Sequence, residues 1–250
     1  MAIDSMDLNA DLAEDSGDDN ALYPHLSSAN ICCGQHAGGP VAMRAAVRAA
    51  MRHNVAIGAH VGYADRENFG RLPVEMDRKS LYALTMSQLR DLQAIIDEEG
   101  GHMRYVKPHG ALYHRIGQDN DQAHAVIDAI ADFNPSLDVL IPNTPVIKNV
   151  AALRFLRTAH EFFADRAYQA DGQLAPRSMP GSVILDTVAI VERVRKWVNT
   201  GNVDAIDGTV ISVDAKSICV HGDTPGALEA TQAIHESLLM QGFDVKSWLD

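Results

Sequence analysis

Tyr105-Val106-Lys107-Pro108-His109-Gly110 is an apolar, strand-like run that ends in a lysine, a proline and a histidine, with glycine directly behind. The same ending recurs in Asn30-Ile31-Cys32-Cys33-Gly34-Gln35-His36-Ala37-Gly38, in Val55-Ala56-Ile57-Gly58-Ala59-His60-Val61-Gly62 and in Ile218-Cys219-Val220-His221-Gly222-Asp223. A fifth run, Leu8-Asn9-Ala10-Asp11-Leu12, carries an acid where the others carry histidine. Imidazole titrates nearest neutrality and is a common metal ligand, and glycine lets backbone or ligand approach closely. Runs that share this ending point to one polar site built by several loops.

Outward from these endings, strands alternate with helical patterns. Gly39-Pro40 opens a helix with Met43, Val47 and Met51 at spacing four. A strand over 55–59 precedes a polar loop, then a helix over about 77–99 that Gly100-Gly101 ends. Strands are predicted over 103–106, 137–141, 161–164, 209–213 and 217–220. Helices are predicted over 121–133, from Thr144-Pro145 to about 156, over 187–199, and from Thr224-Pro225 to Gly242. The stretch 168–182 reads as structureless, with turn signals at Asp171-Gly172 and Met179-Pro180-Gly181. About seven β-then-α units without a linker predict a parallel α/β fold in a single domain over 1–250. The polar residues then fall at the C-terminal ends of the strands, where barrels and open doubly wound sheets alike place ligands.

With 250 residues and 46% hydrophobic content the chain can bury a large core. A net charge of -12 argues against a nucleic-acid binder, which needs a basic face. No apolar run approaches a membrane span, and Met1–Met6 shows no leader, so a cytoplasmic protein is expected. Three cysteines, two of them adjacent, make neither a disulfide framework nor C-x-x-C metal spacing. P-loop, G-x-G-x-x-G, G-x-S-x-G and H-E-x-x-H motifs are absent.

Asp11 and Glu14 follow the first strand, and Asp11 is favoured as general base or ligand because it lies nearer the strand end. Asp11, His36 and His60 suit a divalent metal with open positions, and equally a metal-free acid–base network. Lys107 follows a buried strand, so its charge must be paired or its pKa lowered; Pro108 holds it extended, and His109 stands beside it. Lysine here can bind a carboxylate, steady an oxyanion or move a proton. Arg71, Arg166 and Arg177 lie in polar loops suited to an anion, and Asp165 beside Arg166 is a further substrate-binding candidate, a plain salt bridge being the other reading of that pair. Asn9, His221 and Asp223 complete the candidate substrate-binding set. Cys32, Cys33 and Cys219 read as core.

At these segments the chain resembles the LamB/YcsF family of prokaryotic 5-oxoprolinase A subunits. The matching stretches are DLNADL (7–12), SSANICCGQHAG (27–38), VAIGAH (55–60), VKPHGALY (106–113), FADRAY (163–168) and ICVHGDTP (218–225). The resemblance implies a seven-stranded (β/α) barrel of the glycoside hydrolase/deacetylase type. It also implies work with partner subunits B and C, opening the lactam of 5-oxoproline to L-glutamate with ATP, carried with magnesium, as co-substrate. The chain departs from the family pattern at Ala13 and Asp15, which replace glycines, at Gln35 and Gly39, and at Leu185, where a histidine is common. A stand-alone metal-dependent amide or deacetylase-like hydrolase, and a non-catalytic small-molecule-binding subunit, are the other readings.

Overall fold

The computed structural model describes residues 5–15 and 19–249; the leader-free reading of residues 1–4 lies outside them. Strands β1 (Ser5–Leu12), β2 (Ser28–Cys32), β3 (Ala56–Val61), β4 (Met103–Pro108), β5 (Asp138–Leu140), β6 (Thr158–Ala159) and β7 (Glu161–Phe163) come first in the chain. A hairpin of β8 (Asn202–Asp204) and β9 (Val210–Ser212) follows, then β10 (Ser217–His221) and β11 (Asp244–Val245). The main ladder runs β6-β5-β4-β3-β2-β1-β10-β7, parallel throughout, and β11 adds to the start of β1. Its two end strands are neighbours in the chain, separated by His160 alone, so the sheet wraps into a nearly closed barrel.

Eight strands stand in that ladder where seven were expected. The difference arises at His160, whose ring faces the Ile141 carbonyl at 3.0 Å. Before it the chain pairs with β5, and after it with β10, so a strand that was not predicted, β6, precedes the one predicted over 161–164.

The connections are α1 (Pro40–Arg52), α2 (Arg78–Glu99), α3 (Gly110–Ile116), α4 (Asn120–Phe133), α5 (Pro145–Leu153), α6 (Thr187–Thr200) and α7 (Ala227–Met240), with short 3-10 turns joining β1 to β2. Asp77, Asp119 and Asp186 cap the starts of α2, α4 and α6 by accepting backbone N–H bonds, and Gly100 and Gly201 end α2 and α6 in left-handed geometry. No helix among the described residues is long and apolar enough to cross a membrane.

Three details differ from the sequence reading. Helix α3 begins directly behind His109, too short to show a period. The strand predicted over 209–213 belongs to the antiparallel β8–β9 hairpin, outside the barrel. The stretch 168–182 is folded back on itself by bridges between Arg166 and Val183 and between Tyr168 and Leu174, forming a flap.

The barrel interior is polar along part of its length, and this layer carries the site. Asp7 accepts from Ser27 and Ser28 on one oxygen and from Ser217 on the other. Asn9 donates to Ser217 at 2.6 Å, Asn30 donates to Asn9 at 2.7 Å, and the Tyr105 hydroxyl donates to Asn30 at 2.7 Å. Every one of these side chains is buried, and each hydrogen bond offsets a desolvation cost that an unpaired polar group would incur.

Candidate active site

Strand register decides which side chains meet. Asp11 stands opposite His221 on β10 and opposite Asn30 on β2, while His60 stands opposite Lys107 on β4. The strand ends therefore deliver Asp11, His60, Lys107 and His221 to one level, at the C-terminal mouth as expected. They share a cavity of about 530 Å³ with His109, Arg71, Arg166 and Arg177, of a size usual for small-molecule sites.

Lys107 is the centre of the floor. Its ammonium lies 2.8 Å from Asp11, 3.0 Å from Glu161 and 3.1 Å from the Cys219 sulfur. Burial works against its charge, but Asp11, Cys219 and Glu161 together hold its pKa well above the usual lysine range. The lysine is thus a fixed cation, suited to electrostatic stabilisation and unsuited to proton transfer. Burial raises the Asp11 pKa, yet its contacts with His60 and Lys107 override burial and hold the carboxyl well below its ordinary range. Asn30 also donates to Asp11, at 2.9 Å.

Beside this pair sits a nest of three histidines. His36 and His109 stack with ring centres 3.8 Å apart and planes 3° from parallel, and His60 meets both edge-on. His60 Nε2 is 3.3 Å from Asp11 and 2.9 Å from His109 Nδ1. Burial pushes the pKa values of His36 and His109 well below the ordinary value, helped by charge on neighbouring histidines. His36 stands behind His109, and its Nδ1 is buried without a hydrogen-bond partner among the described residues.

Glu14 completes the nest, and the sequence reading ranked it too low. Its Oε1 lies 3.1 Å from His36 Nε2 and 3.4 Å from His109 Nδ1. Burial first, and then the charge of Asp11, raises its pKa well above the carboxylate range. The backbone explains how an acid three residues past Asp11 turns inward. Ala13 (φ 63°) and Asp15 (φ 55°) both adopt the left-handed conformation that favours glycine. The signal was present as the two departures from glycine that flank Glu14.

The remaining candidates separate into two groups. Asp165 does not pair with Arg166; it accepts from the His221 ring at 2.9 Å, from the His221 backbone at 3.2 Å and from Thr224 at 3.1 Å. That arrangement fixes the proton on His221 Nδ1 and leaves Nε2 as the basic nitrogen. Asp223 pairs with Arg71 at the rim. Asn9 lies in the buried polar layer beneath the cavity rather than on its wall.

Arg166 holds the flap by donating to the carbonyls of Ser182 and Ala175. Burial and Arg177 push its pKa down to about 10. Arg177 is likewise lowered by burial and by Arg71, and its guanidinium makes no hydrogen bond or ion pair with the other described residues. Three guanidinium groups that disfavour one another thus line one wall. The cysteines are free and buried, with thiol pKa values raised by burial, to about 12 for Cys32, so none is poised as a nucleophile.

Known proteins carry the same framework. Over 250 residues the chain is 42% identical to the 5-oxoprolinase A subunit 1 of Agrobacterium fabrum, covering 98% of each chain. Its backbone matches the crystal structure of a lactam utilization protein from Thermus thermophilus with a TM-score of 0.91 and 38% identity, over 98% of this chain and 100% of that one. A putative cellobiose-phosphate cleavage protein of Enterococcus faecalis, 10% identical with a TM-score of 0.59 over 99% and 98% of the two chains, shares the fold alone. The LamB/YcsF family model matches residues 6–250, so the strand ends that build the site lie within the region by which this chain belongs to the LamB/YcsF family.

Proposed function

We propose that this chain is the A component of an ATP-dependent 5-oxoprolinase, working with subunits B and C to open the lactam of 5-oxoproline to L-glutamate. The observation that carries this reading is the arginine wall. The Arg177 guanidinium has no partner among the described residues, and Arg71 and Arg166 raise its cost, which is the electrostatic situation an anionic ligand relieves. A cyclic amide that bears a carboxylate suits such a wall above a floor of fixed charge. The name of the Agrobacterium relative supports the same choice.

A lactam is a poor electrophile. In the proposed reaction ATP, bound with magnesium, transfers its terminal phosphoryl group to the amide oxygen and leaves as ADP. Water then adds to the activated carbon, the carbon–nitrogen bond breaks, and the nitrogen takes a proton to become the amine. A second water hydrolyses the resulting acyl phosphate to the carboxylate and inorganic phosphate. Within this sequence Arg166 and Arg177 hold anionic oxygens, and Lys107 steadies the charge of Asp11. His221 Nε2 is the cavity-lining group placed to accept a proton from water, while ionised Asp11 anchors Lys107.

Glutamate release from 5-oxoproline tests the reading, measured for the chain alone, with ATP and magnesium, and with subunits B and C added. Release only in the complete set is expected. No glutamate from the complete set overturns the proposal, and turnover by the chain alone without ATP favours a stand-alone amide hydrolase.

A further inference from the structure

The histidine nest contains a conflict of lone pairs. His60 Nδ1 lies 2.9 Å from the Lys107 carbonyl, and His109 Nε2 lies 2.8 Å from the Phe69 carbonyl. A carbonyl oxygen only accepts, so each of these nitrogens carries its ring's proton. The nitrogens left over, His60 Nε2 and His109 Nδ1, face each other at 2.9 Å. In neutral rings both are bare lone pairs, which repel at that distance unless a positive centre sits between them or one ring takes a second proton.

Two more donors converge on the same point. Glu14 Oε1 is 3.1 Å from His36 Nε2, 3.4 Å from His109 Nδ1 and 3.9 Å from His60 Nε2. All four donor atoms lie within 4.8 Å of one another. Four ligands at ~2.1 Å from a tetrahedral ion stand about 3.4 Å apart, and these separations bracket that value. Backbone carbonyls that orient a histidine through its far N–H are the outer contacts typical of metal-ligating imidazoles. The left-handed residues on both sides of Glu14 hold it inward at a cost in backbone strain, which an incidental acid would not require.

We propose that Glu14, His36, His60 and His109 form a binding site for one divalent transition-metal ion of the zinc class. The donor set of three imidazoles and one carboxylate suits zinc, cobalt or nickel better than magnesium or calcium. His60 and His109 line the cavity, so the ion opens toward it, and ionised Asp11 stands 3.3 Å from His60 Nε2 as a neighbouring anion. This ligand set differs from the trio of Asp11, His36 and His60 considered from the sequence. Glu14 and His109 enter, and Asp11 is committed to Lys107 and Asn30.

The test uses cobalt(II) and zinc alone, without substrate, ATP or partner subunits, so it stands or falls separately from the lactam reading. Purified chain stripped with chelator and titrated with cobalt is expected to bind one equivalent and to show the intense visible bands of four- or five-coordinate cobalt. Zinc is expected to displace it and magnesium is not. Glu14→Gln, nearly isosteric, and His109→Gln are expected to weaken cobalt binding at least tenfold. Wild-type crystals soaked in zinc are expected to show one anomalous peak between His60 Nε2 and His109 Nδ1, a measurement that needs no variant to fold. Absence of that peak, a weak octahedral cobalt spectrum, or undiminished binding by folded Glu14→Gln would overturn the site in favour of a shared proton.

Discussion

The floor and the wall of this cavity are built on opposite terms. The floor is strand-borne: Lys107 touches two carboxylates and a thiol, and its exposure is 2%. The wall is loop-borne: Arg71 and Arg177 follow no strand directly, and the Arg177 guanidinium is left without a partner among the described residues. On the floor Lys107 is ion-paired before any ligand arrives, whereas on the wall Arg177 has no partner among the described residues and its neighbours Arg71 and Arg166 disfavour its charge. A satisfied ion network fixes geometry, and an unsatisfied one provides affinity. The comparison assigns fold stability and chemistry to the floor and substrate capture to the wall.

Lys107→Met is the strongest attempt to break it. Removing the ammonium takes their shared cation from buried Asp11 and Glu161, and such a loss costs about 3–5 kcal/mol. Urea unfolding should show that drop together with loss of glutamate release; a variant as stable as the parent would show that the floor does not depend on its cation.

Asp7 probes the floor by pH. Burial raises its pKa to about 6 from 3.8, against hydrogen bonds from Ser217, Ser28 and Ser27. Because the folded value is the higher, its contribution is fully present below about pH 3.8 and is lost as pH rises through about 6. The loss amounts to about 3 kcal/mol. Asp7→Asn cannot ionise, so its stability relative to the parent should climb by that amount between pH 4 and pH 7. A difference that stays flat across this window would contradict a protonated Asp7.

Gly58→Ala tests how closely the floor is packed. A Cβ there would stand 2.3 Å from the Tyr105 ring, whose hydroxyl is tied to Asn30. Overpacking of this kind costs about 1–3 kcal/mol, to be read as a lowered unfolding midpoint. Arg177→Ala tests the wall and should move stability least, by under ~0.5 kcal/mol. It should nevertheless raise KM for 5-oxoproline by about 10- to 100-fold, the worth of a charged hydrogen bond. A large loss of stability with unchanged KM would invert the roles of wall and floor.

Much of the floor was legible because barrel strands are buried on both faces and read as continuous apolar runs, so a polar residue at their ends stands out. Asp11, His60, Lys107, His109 and His221 were found in this way, and the geometry brings them to one cavity. Glu14 was underrated because its inward turn depends on two residues with positive φ, which composition does not announce. The partner of Asp165 was not legible for a related reason. Arg166 is its neighbour in sequence, but register across β7 and β10 sets His221 beside it.

The sequence by itself determined the alternation of strand and helix, the polar C-terminal mouth and the identity of the groups there, because periodicity and burial are local properties of the chain. The tertiary structure decided which groups share a proton or a charge. It paired Lys107 with Asp11 and Glu161, fixed the His221 tautomer through Asp165, and brought ring nitrogens of three histidines and a Glu14 oxygen within 4.8 Å of one another. Those outcomes rest on ångström-scale distances between residues far apart in the chain, and only closure of the barrel sets them.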